Sequence, residues 1–500
     1  MSKRQLLNVI PNFAGVAAGL IFPLLFNVVY FRLLETEAYG LIGFYGLLTL
    51  LASLADLGLS QTTMREVARR AGNSHRSDDL QSLVLTLALL SLCPGALMGL
   101  LAVASSRWLA TSWLSLDRLS VDEVATAIAL MGGALALIFP ASILTAALRG
   151  LQRQVAGNAV VIALAACRGL ATIVALYAFG VTPRVFFSAQ LILSVLEVVV
   201  LAVIVWMLLP PSRASLNVDL QLLRRSWEFT FTMWLSVLIG QIIMLSDRIV
   251  MSTLLPLDLF GLYSLAFAVA STVQRMATPF SNAFFPHFVE LLEERNQQAL
   301  AQAYQLATRL TAAAVLPFGL SMAVYSQPIM TILTGSPAAS QTIAPVFAIL
   351  AIANMLAALM VLPNILQLAC GAPWIALRVN FFQAVPYVVL LLLLAPRYGM
   401  YAPAGLWLAT TTISLPIMAM MTHRFVLQGQ AWSWANGVIF LPGLASAVVL
   451  IAGAALSPAS STAVMLPWLA ANYALALLAA LLLAFRGSIR SLVASRPSKQ

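Results

Sequence analysis

Five ionisable side chains stand where an apolar stretch should not carry them: Asp56, Arg168, Glu197, Asp247 and Arg275 all fall inside long hydrophobic runs. A charge at the centre of a membrane-crossing helix costs about 2.5–3.5 kcal/mol on insertion scales, so each asks for a partner or a task. The chemistry open to them is narrow. A guanidinium stays charged in a low-dielectric site and grips phosphate oxygens two at a time. A carboxylate there can carry a proton or a sodium ion, or neutralise an arginine. Arg168 and Glu197 each lie about fifteen residues from the turn near Thr182–Pro183, or about 22 Å of helix, so a hairpin brings them level as an ion pair. That pair is either a structural tie inside one bundle or part of a binding site. Asp247 suits a proton or sodium site, or a structural pairing with Arg32. Its neighbour Arg248 points about 100° away around the helix, so the two do not pair with each other. Arg248 and Arg32 lie nearer one surface, where they can snorkel.

The elements that must position these groups are set by composition. The 500 residues are 61% hydrophobic and only 9% charged, against about 25% charged in soluble chains. Apolar runs of about 20 residues recur from end to end, each long enough to cross the hydrocarbon core as a helix. They are expected near 8–31, 40–61, 80–104, 123–146, 155–180, 185–208, 227–251, 259–283, 309–332, 344–367, 375–395, 402–422, 437–457 and 464–485. The fold class is therefore an all-α polytopic membrane protein of about 14 transmembrane helices. Basic residues set its orientation. Only Arg32, Arg107, Arg118, Arg184, Arg248 and Arg397 fall at one set of span ends; apart from Arg168 and Arg275 within spans, the rest gather at the other, which places both termini in the cytoplasm. The net charge of +10 is then a topology signal and an attraction to anionic headgroups, with no nucleic-acid partner implied.

A repeat organises the spans. "LETEAYGL" at Leu34–Leu41 and "LPLDLFGL" at Leu255–Leu262 share a pattern of Leu, acid, aromatic ring and Gly-Leu, and their first residues are 221 positions apart. The same offset sets Gly19 on Gly240, Leu24 on Leu245, and Gly150 on Gly371. Spans one to six thus map onto spans seven to twelve. An even number of spans keeps both copies pointing the same way, so the axis relating two six-helix lobes lies along the membrane normal. The expected boundaries are an N-terminal lobe at 1–208, a cytoplasmic linker at 209–226, a C-terminal lobe at 227–425, and an extra C-terminal helix pair with a tail at 426–500. Locally, the repeated phrase reads as an outer turn with Gly in the turn and the ring at the interface. The segment "FFPHFVELLEERNQQALAQAYQLATR" reads as an amphipathic helix on the membrane surface.

"RLLETEAYGLIGFYGLLTLLASLADLGLSQTTMRE", "ALRGLQRQ" and "DRIVMSTLLPLDLFGLYSLA" resemble the polysaccharide-transporter branch of the multidrug/oligosaccharidyl-lipid/polysaccharide (MOP) superfamily, the Wzx-type O-antigen flippases. The resemblance covers essentially the whole chain. It implies export of an undecaprenyl-diphosphate-linked oligosaccharide from the inner to the outer leaflet of the bacterial inner membrane by alternating access. Membrane lipids surround such a protein, and polysaccharide polymerases or glycosyltransferases would be its partners. On that reading the substrate-binding candidates are Arg275, Arg248, Arg168, Arg32, Asn27 and Gln241. Asp56, Asp247 and Glu197 are the candidates for ion coupling or gating. Arg275 could pair with Asp56 to close the inner side, take the diphosphate, or bond backbone carbonyls near a bend at Pro279. Asn27 and Gln241, like Asn12 and Asn380, could equally serve sugars or interhelical hydrogen bonds. No cofactor is expected; proton or sodium coupling, or the membrane potential, would drive the movement.

Other chemistries find little support. There is no G-x-x-x-x-G-K-[ST], and the only lysines are Lys3 and Lys499, so this polypeptide is not expected to hydrolyse ATP. His75, His287 and His423 lie apart, and no metal site is implied. Cys93, Cys167 and Cys370 read as buried apolar thiols. The longest outer connection, about 105–122, is too short for the catalytic loops of a membrane glycosyltransferase or polymerase. The alternatives within the superfamily are a cation-coupled multidrug exporter and a lipid II flippase. Gly95 and Gly99 mark close helix approach.

Overall fold

The computed structural model describes residues 3–56, 59–71, 80–151, 154–209, 238, 241–371, 374–425, 434–457 and 462–485. Residues 227–237 and 239–240 of the seventh expected span, 227–251, lie outside them, as do residues 210–226 of the linker expected at 209–226. Among the described residues there is no strand, and twelve helices are long and apolar enough to cross a membrane. This is a multi-pass membrane protein.

Continuous apolar sequence has one good solution in a medium that cannot hydrogen-bond, the helix, because it satisfies its own backbone. The helices are α1 (Lys3–Ala55), α2 (Leu59–Ala71), α3 (Leu80–Trp108), α4 (Val121–Gly150), α5 (Gln154–Phe179), α6 (Pro183–Leu208), α7 (241–254), α8 (Leu257–Arg275), α9 (Thr278–Glu293) and α10 (Gln297–Val324). They continue as α11 (Ser326–Thr334), α12 (Pro337–Leu359), α13 (Val361–Ala369), α14 (Trp374–Tyr398), α15 (Tyr401–Phe425), α16 (Leu441–Ala455) and α17 (Thr462–Ala484). α1 holds two expected spans, merged across a break at Glu35, whose φ is 63°.

Helix ends follow local chemistry. Ser120 and Glu123 form a reciprocal capping box at the start of α4. Thr182 caps α6, with Pro183 in its first turn where a missing N–H costs nothing. Asn296 accepts from Ala299 N at 3.0 Å to start α10. The expected surface helix around 284–309 is instead two helices. α9 stops at Glu293, Arg295 takes a φ of 55°, and α10 begins at Gln297. The charged run Glu293–Arg295 supplies the turn between two apolar helices, which a moment averaged over the whole segment conceals.

By their internal contacts the described residues divide into two compact units, Ala17–Leu262 and Tyr263–Gln500 with Met1–Val16. In the first, Leu59, Leu83, Leu87, Ile143, Leu148, Leu201 and Val205 form a core among α2, α3, α4 and α6. Gly99 of α3 and Gly132 of α4 face each other so closely that a Cβ on Gly99 would lie 2.9 Å from the Gly132 carbonyl oxygen. This is the expected close approach, and it maximises van der Waals contact where no hydrophobic drive acts between helices. In the second unit, α16 and α17 pair with each other and pack on α10, with Tyr325 Oη donating to Leu450 O at 3.2 Å. Cys93 and Cys167, expected to be buried, are exposed on the outward faces of α3 and α5. Those faces carry Leu97, Leu100, Leu170 and Val174, also exposed, so the thiols belong to an apolar outer surface.

Two helix breaks lie near the 221 offset. α8 ends at Arg275 and α9 starts at Thr278; shifted back by 221, this gap overlaps the one between Ala55 and Leu59 at Asp56. The turn at Glu35 likewise corresponds to Pro256, the residue before α8. Within Ala17–Leu262 the two phrases meet. A Cβ on Gly40 would collide with Leu257, and a Cβ on Gly261 would lie 2.5 Å from the Thr36 carbonyl oxygen. Thr36 and Leu257 are themselves 221 apart, as are Gly40 and Gly261, so the contact is reciprocal, as a local twofold requires. The glycines therefore sit one helical turn past the break, against the other copy, and not in the turn as expected. The rings Tyr39 and Phe260 are buried in protein, not placed at a membrane interface.

Candidate functional site

Within Ala17–Leu262, a cavity of about 440 Å³ opens among α1, α2, α4, α5 and α6. Arg168 of α5 and Glu197 of α6 line it together, as the hairpin spacing predicts. Arg168 Nη2 lies 2.7 Å from Glu197 Oε2 and donates to Ser194 Oγ at 2.8 Å. Both bonds use one of the guanidinium nitrogens, and the group carries five N–H donors in all. Arg168 is held on its backbone side too, where its carbonyl accepts from Thr172 Oγ1 at 2.8 Å and Thr172 accepts from Gln190 Nε2 at 3.1 Å. Tyr30 donates to the next carbonyl, Gly169 O, at 3.2 Å. A second guanidinium, Arg149 in the last turn of α4, lines the same space with Tyr45, Thr49, Ser60 and Ser142.

Asp56 stands beside this cavity, at the break between α1 and α2 and not within a continuous span. Its carboxylate accepts from Ser60 Oγ at 2.9 Å, Ser60 N at 3.2 Å and Ser142 Oγ at 3.4 Å. A short acidic side chain that binds a backbone N–H four residues on offers the chain an alternative to helix continuation. Arg248 is half-buried on α7, with Nη1 against α1 at Gly46, where a Cβ would come within 3.1 Å. Its neighbour Asp247 is buried. Asn27 and Gln241 are half-buried, and Arg32 is exposed three residues before the Glu35 break. Arg275 belongs to the other unit. It is exposed in the last turn of α8, followed by the bend at Met276–Ala277 and by Pro279 in the first turn of α9. The structure thus joins Arg168 to Glu197 and sets both in the cavity that Ser60 and Ser142 connect to Asp56.

Other groups escape sequence reading. Arg149 counts in the sequence only as an inner-side charge. Glu37, the acid of the first repeated phrase, is buried and accepts three backbone N–H groups, from Asp117 and Arg118 at 2.8 Å each and Leu119 at 3.1 Å. That carboxylate orders the connection between α3 and α4. His423, isolated in sequence, packs against the rings of Tyr304 and Trp434, at centroid distances of 5.7 and 5.5 Å, and those two rings also stack on each other.

The cavity thus presents two guanidiniums, one of them paired with Glu197, and several hydroxyls inside a bundle of apolar helices. A family model described as polysaccharide biosynthesis protein matches residues 6–292. The chain belongs to that family. Solved structures agree on the fold. A lipid II flippase, MurJ, in an inward closed conformation is 12% identical over 98% of this chain and 100% of its own, with a TM-score of 0.71. A multidrug resistance MATE family transporter of the MOP superfamily, in an inward-facing conformation, is 15% identical over 86% of this chain and 99% of its own, with a TM-score of 0.65. A MOP superfamily transporter from Pyrococcus furiosus Vc1 (DSM3638) is 15% identical over 84% and 94%, with a TM-score of 0.58. A search of curated protein sequences finds no match. The fold of this family member is therefore that of the MOP transporters, and its relatives by fold are transporters and flippases.

Proposed function

We propose that the protein is a flippase that moves an undecaprenyl-diphosphate-linked oligosaccharide, an O-antigen or other surface-polysaccharide repeat unit, from the inner to the outer leaflet of the bacterial inner membrane. The observation that carries this reading is the cavity in Ala17–Leu262 with Arg149 and Arg168 on its wall. A diphosphate cannot enter hydrocarbon uncompensated, because an isolated charge there loses its hydration. Two guanidiniums supply charge-assisted donors to phosphate oxygens, and Tyr45, Thr49, Ser60 and Ser142 supply hydroxyls for sugar. The polyprenyl tail stays in lipid while the head travels. An inside-negative potential favours outward movement of each negative charge by about 2.3 kcal/mol per 100 mV, so direction needs no ATP. Proton or sodium coupling through Asp56, Asp247 or Glu197 would add to that drive, and Arg275, Arg248, Arg32, Asn27 and Gln241 are the further residues proposed to meet the head. The lobes would rock about the axis of the 221-residue duplication.

A lipid II head is the second reading. The MurJ likeness extends over 98% of this chain, whereas the MATE likeness stops at 86%. The deciding experiment reconstitutes the full chain in vesicles with a potassium-diffusion potential and follows a lipid-diphosphate oligosaccharide, lipid II and a cationic dye in parallel. Potential-dependent transfer of the oligosaccharide, lost in Arg149→Ala, is expected. Transfer of the dye alone would overturn the proposal.

A further inference from the structure

A second cavity lies far along the chain from the first, in the hairpin of α14 and α15. The hairpin turns at Gly399, whose φ of 52° suits a residue without a Cβ. Between its helices runs a groove of about 460 Å³, lined by Arg378, Phe382 and Gln383 on one side and Thr410, Ser414 and Ile417 on the other. Halfway along, Ser414 donates to Gln383 Oε1 at 3.1 Å, which closes the polar floor on itself. The walls are apolar and open outward: Phe382 is 74% exposed and Ile413 61%. One end is basic. Arg378 lines it, and Arg424 is exposed in the last turn of α15, three residues beyond Met421, which lines the same end. The arginine pattern of the sequence assigns that end to the cytoplasmic leaflet.

A cleft between transmembrane helices that joins a basic inner end to an apolar trough matches a lipid with an anionic headgroup. We propose that the α14–α15 groove binds an anionic glycerophospholipid of the inner leaflet, its phosphate at Arg378 and Arg424 and one acyl chain along Phe382, Ile413 and Ile417. Size separates this occupant from a polyprenyl chain. Arg378 to Pro386, the extent of the groove on α14, is about 12 Å at the helical rise. That takes a good part of one acyl chain, whereas a polyprenyl tail would leave most of its length outside. The floor pair Gln383–Ser414 faces the ester region, where a lipid carries its acceptors. The site stands on this geometry alone and holds whatever cargo the protein carries.

The test is native mass spectrometry of the full chain in detergent, with equal amounts of dioleoyl-phosphatidylglycerol, dioleoyl-phosphatidylcholine and undecaprenyl phosphate added in separate arms. Retention of the phosphatidylglycerol above the phosphatidylcholine is expected. R378Q and R424Q should each weaken that retention about fivefold, with R378K close to the parent. Ile413→Trp, which fills the trough from its exposed wall, should lower retention of every lipid while leaving the arginines in place. All variants are compared at matched size-exclusion profiles, and R378K with Ile413→Trp carries the test should R378Q fail to fold. Equal retention of the two phospholipids, no response to R378Q or Ile413→Trp, or preferred retention of undecaprenyl phosphate would overturn the proposal, the last by giving the groove to a polyprenyl tail.

Discussion

Replacing Glu197 by alanine removes the acceptor 2.7 Å from Arg168 Nη2 and leaves Ser194, at 2.8 Å, as that guanidinium's side-chain partner among the described residues. The magnitude follows from where the pair sits. Exposed ion pairs contribute about 0–1 kcal/mol, and breaking a fully buried one costs about 3–5 kcal/mol. The two side chains are 30% and 32% exposed, between these limits, so Glu197→Ala should destabilise by about 2 kcal/mol. Arg168→Ala should cost a similar amount, and the double variant less than the sum, with a coupling of about 1–2 kcal/mol. Thermal unfolding in detergent reads these stabilities, and vesicle transfer of the lipid-diphosphate oligosaccharide reads function on the same samples. If Arg168 holds phosphate, the double variant is about as stable as either single variant yet loses transfer, and Glu197→Ala, which frees the guanidinium, keeps part of its transfer. A double variant that transfers at the parental rate would refute the binding role and leave the pair as a structural tie. A coupling near zero would refute the pairing itself.

Two further outcomes test the scaffold. Gly40→Ala and Gly261→Ala should each destabilise by about 1–3 kcal/mol, and by similar amounts, because each new Cβ meets backbone of the opposite phrase. Gly405→Ala, where a Cβ has nothing within 4 Å, is the control and should leave the unfolding midpoint unchanged or slightly raised. Glu37→Ala leaves three backbone N–H groups of the α3–α4 connection without their acceptor and should cost about 3 kcal/mol, with faster proteolysis between Ser115 and Ser120 as the local readout.

What the sequence makes legible is whatever a helix carries in its own register. The level of Arg168 and Glu197 follows from counting residues to a shared turn, and the Gly95/Gly99 spacing announces a close neighbour, because both depend only on helical geometry. What it hides depends on chain brought from elsewhere. Nothing local in "LETEAYGL" says that Glu37 gathers three amides from residues 80 or more positions away, or that Gly40 meets its own counterpart's phrase. Hydropathy also runs through the break at Asp56, because it weighs side-chain transfer and ignores the carboxylate's bond to Ser60 N.

The duplication shows how such a protein divides its labour. Features that hold helices together recur at or near the 221 offset: the helix starts at Leu59 and Thr278 come within two residues of it, and the reciprocal glycines Gly40 and Gly261 match it. The charged cavity does not recur. The counterparts of Arg168, Glu197, Asp56 and Arg149 are Val389, Met418, Ala277 and Cys370, so the second copy retains the frame without the ions. A charge in an apolar bundle persists only where something uses it, since an uncharged frame is cheaper to insert. The copies therefore differ where they would handle an anionic head and agree where they must pack. Val389 and Met418 make that argument testable: Val389→Arg with Met418→Glu should bring no gain in transfer, because Ser142 and Thr145 of α4, which complete the first cavity, have Pro363 and Leu366 as counterparts.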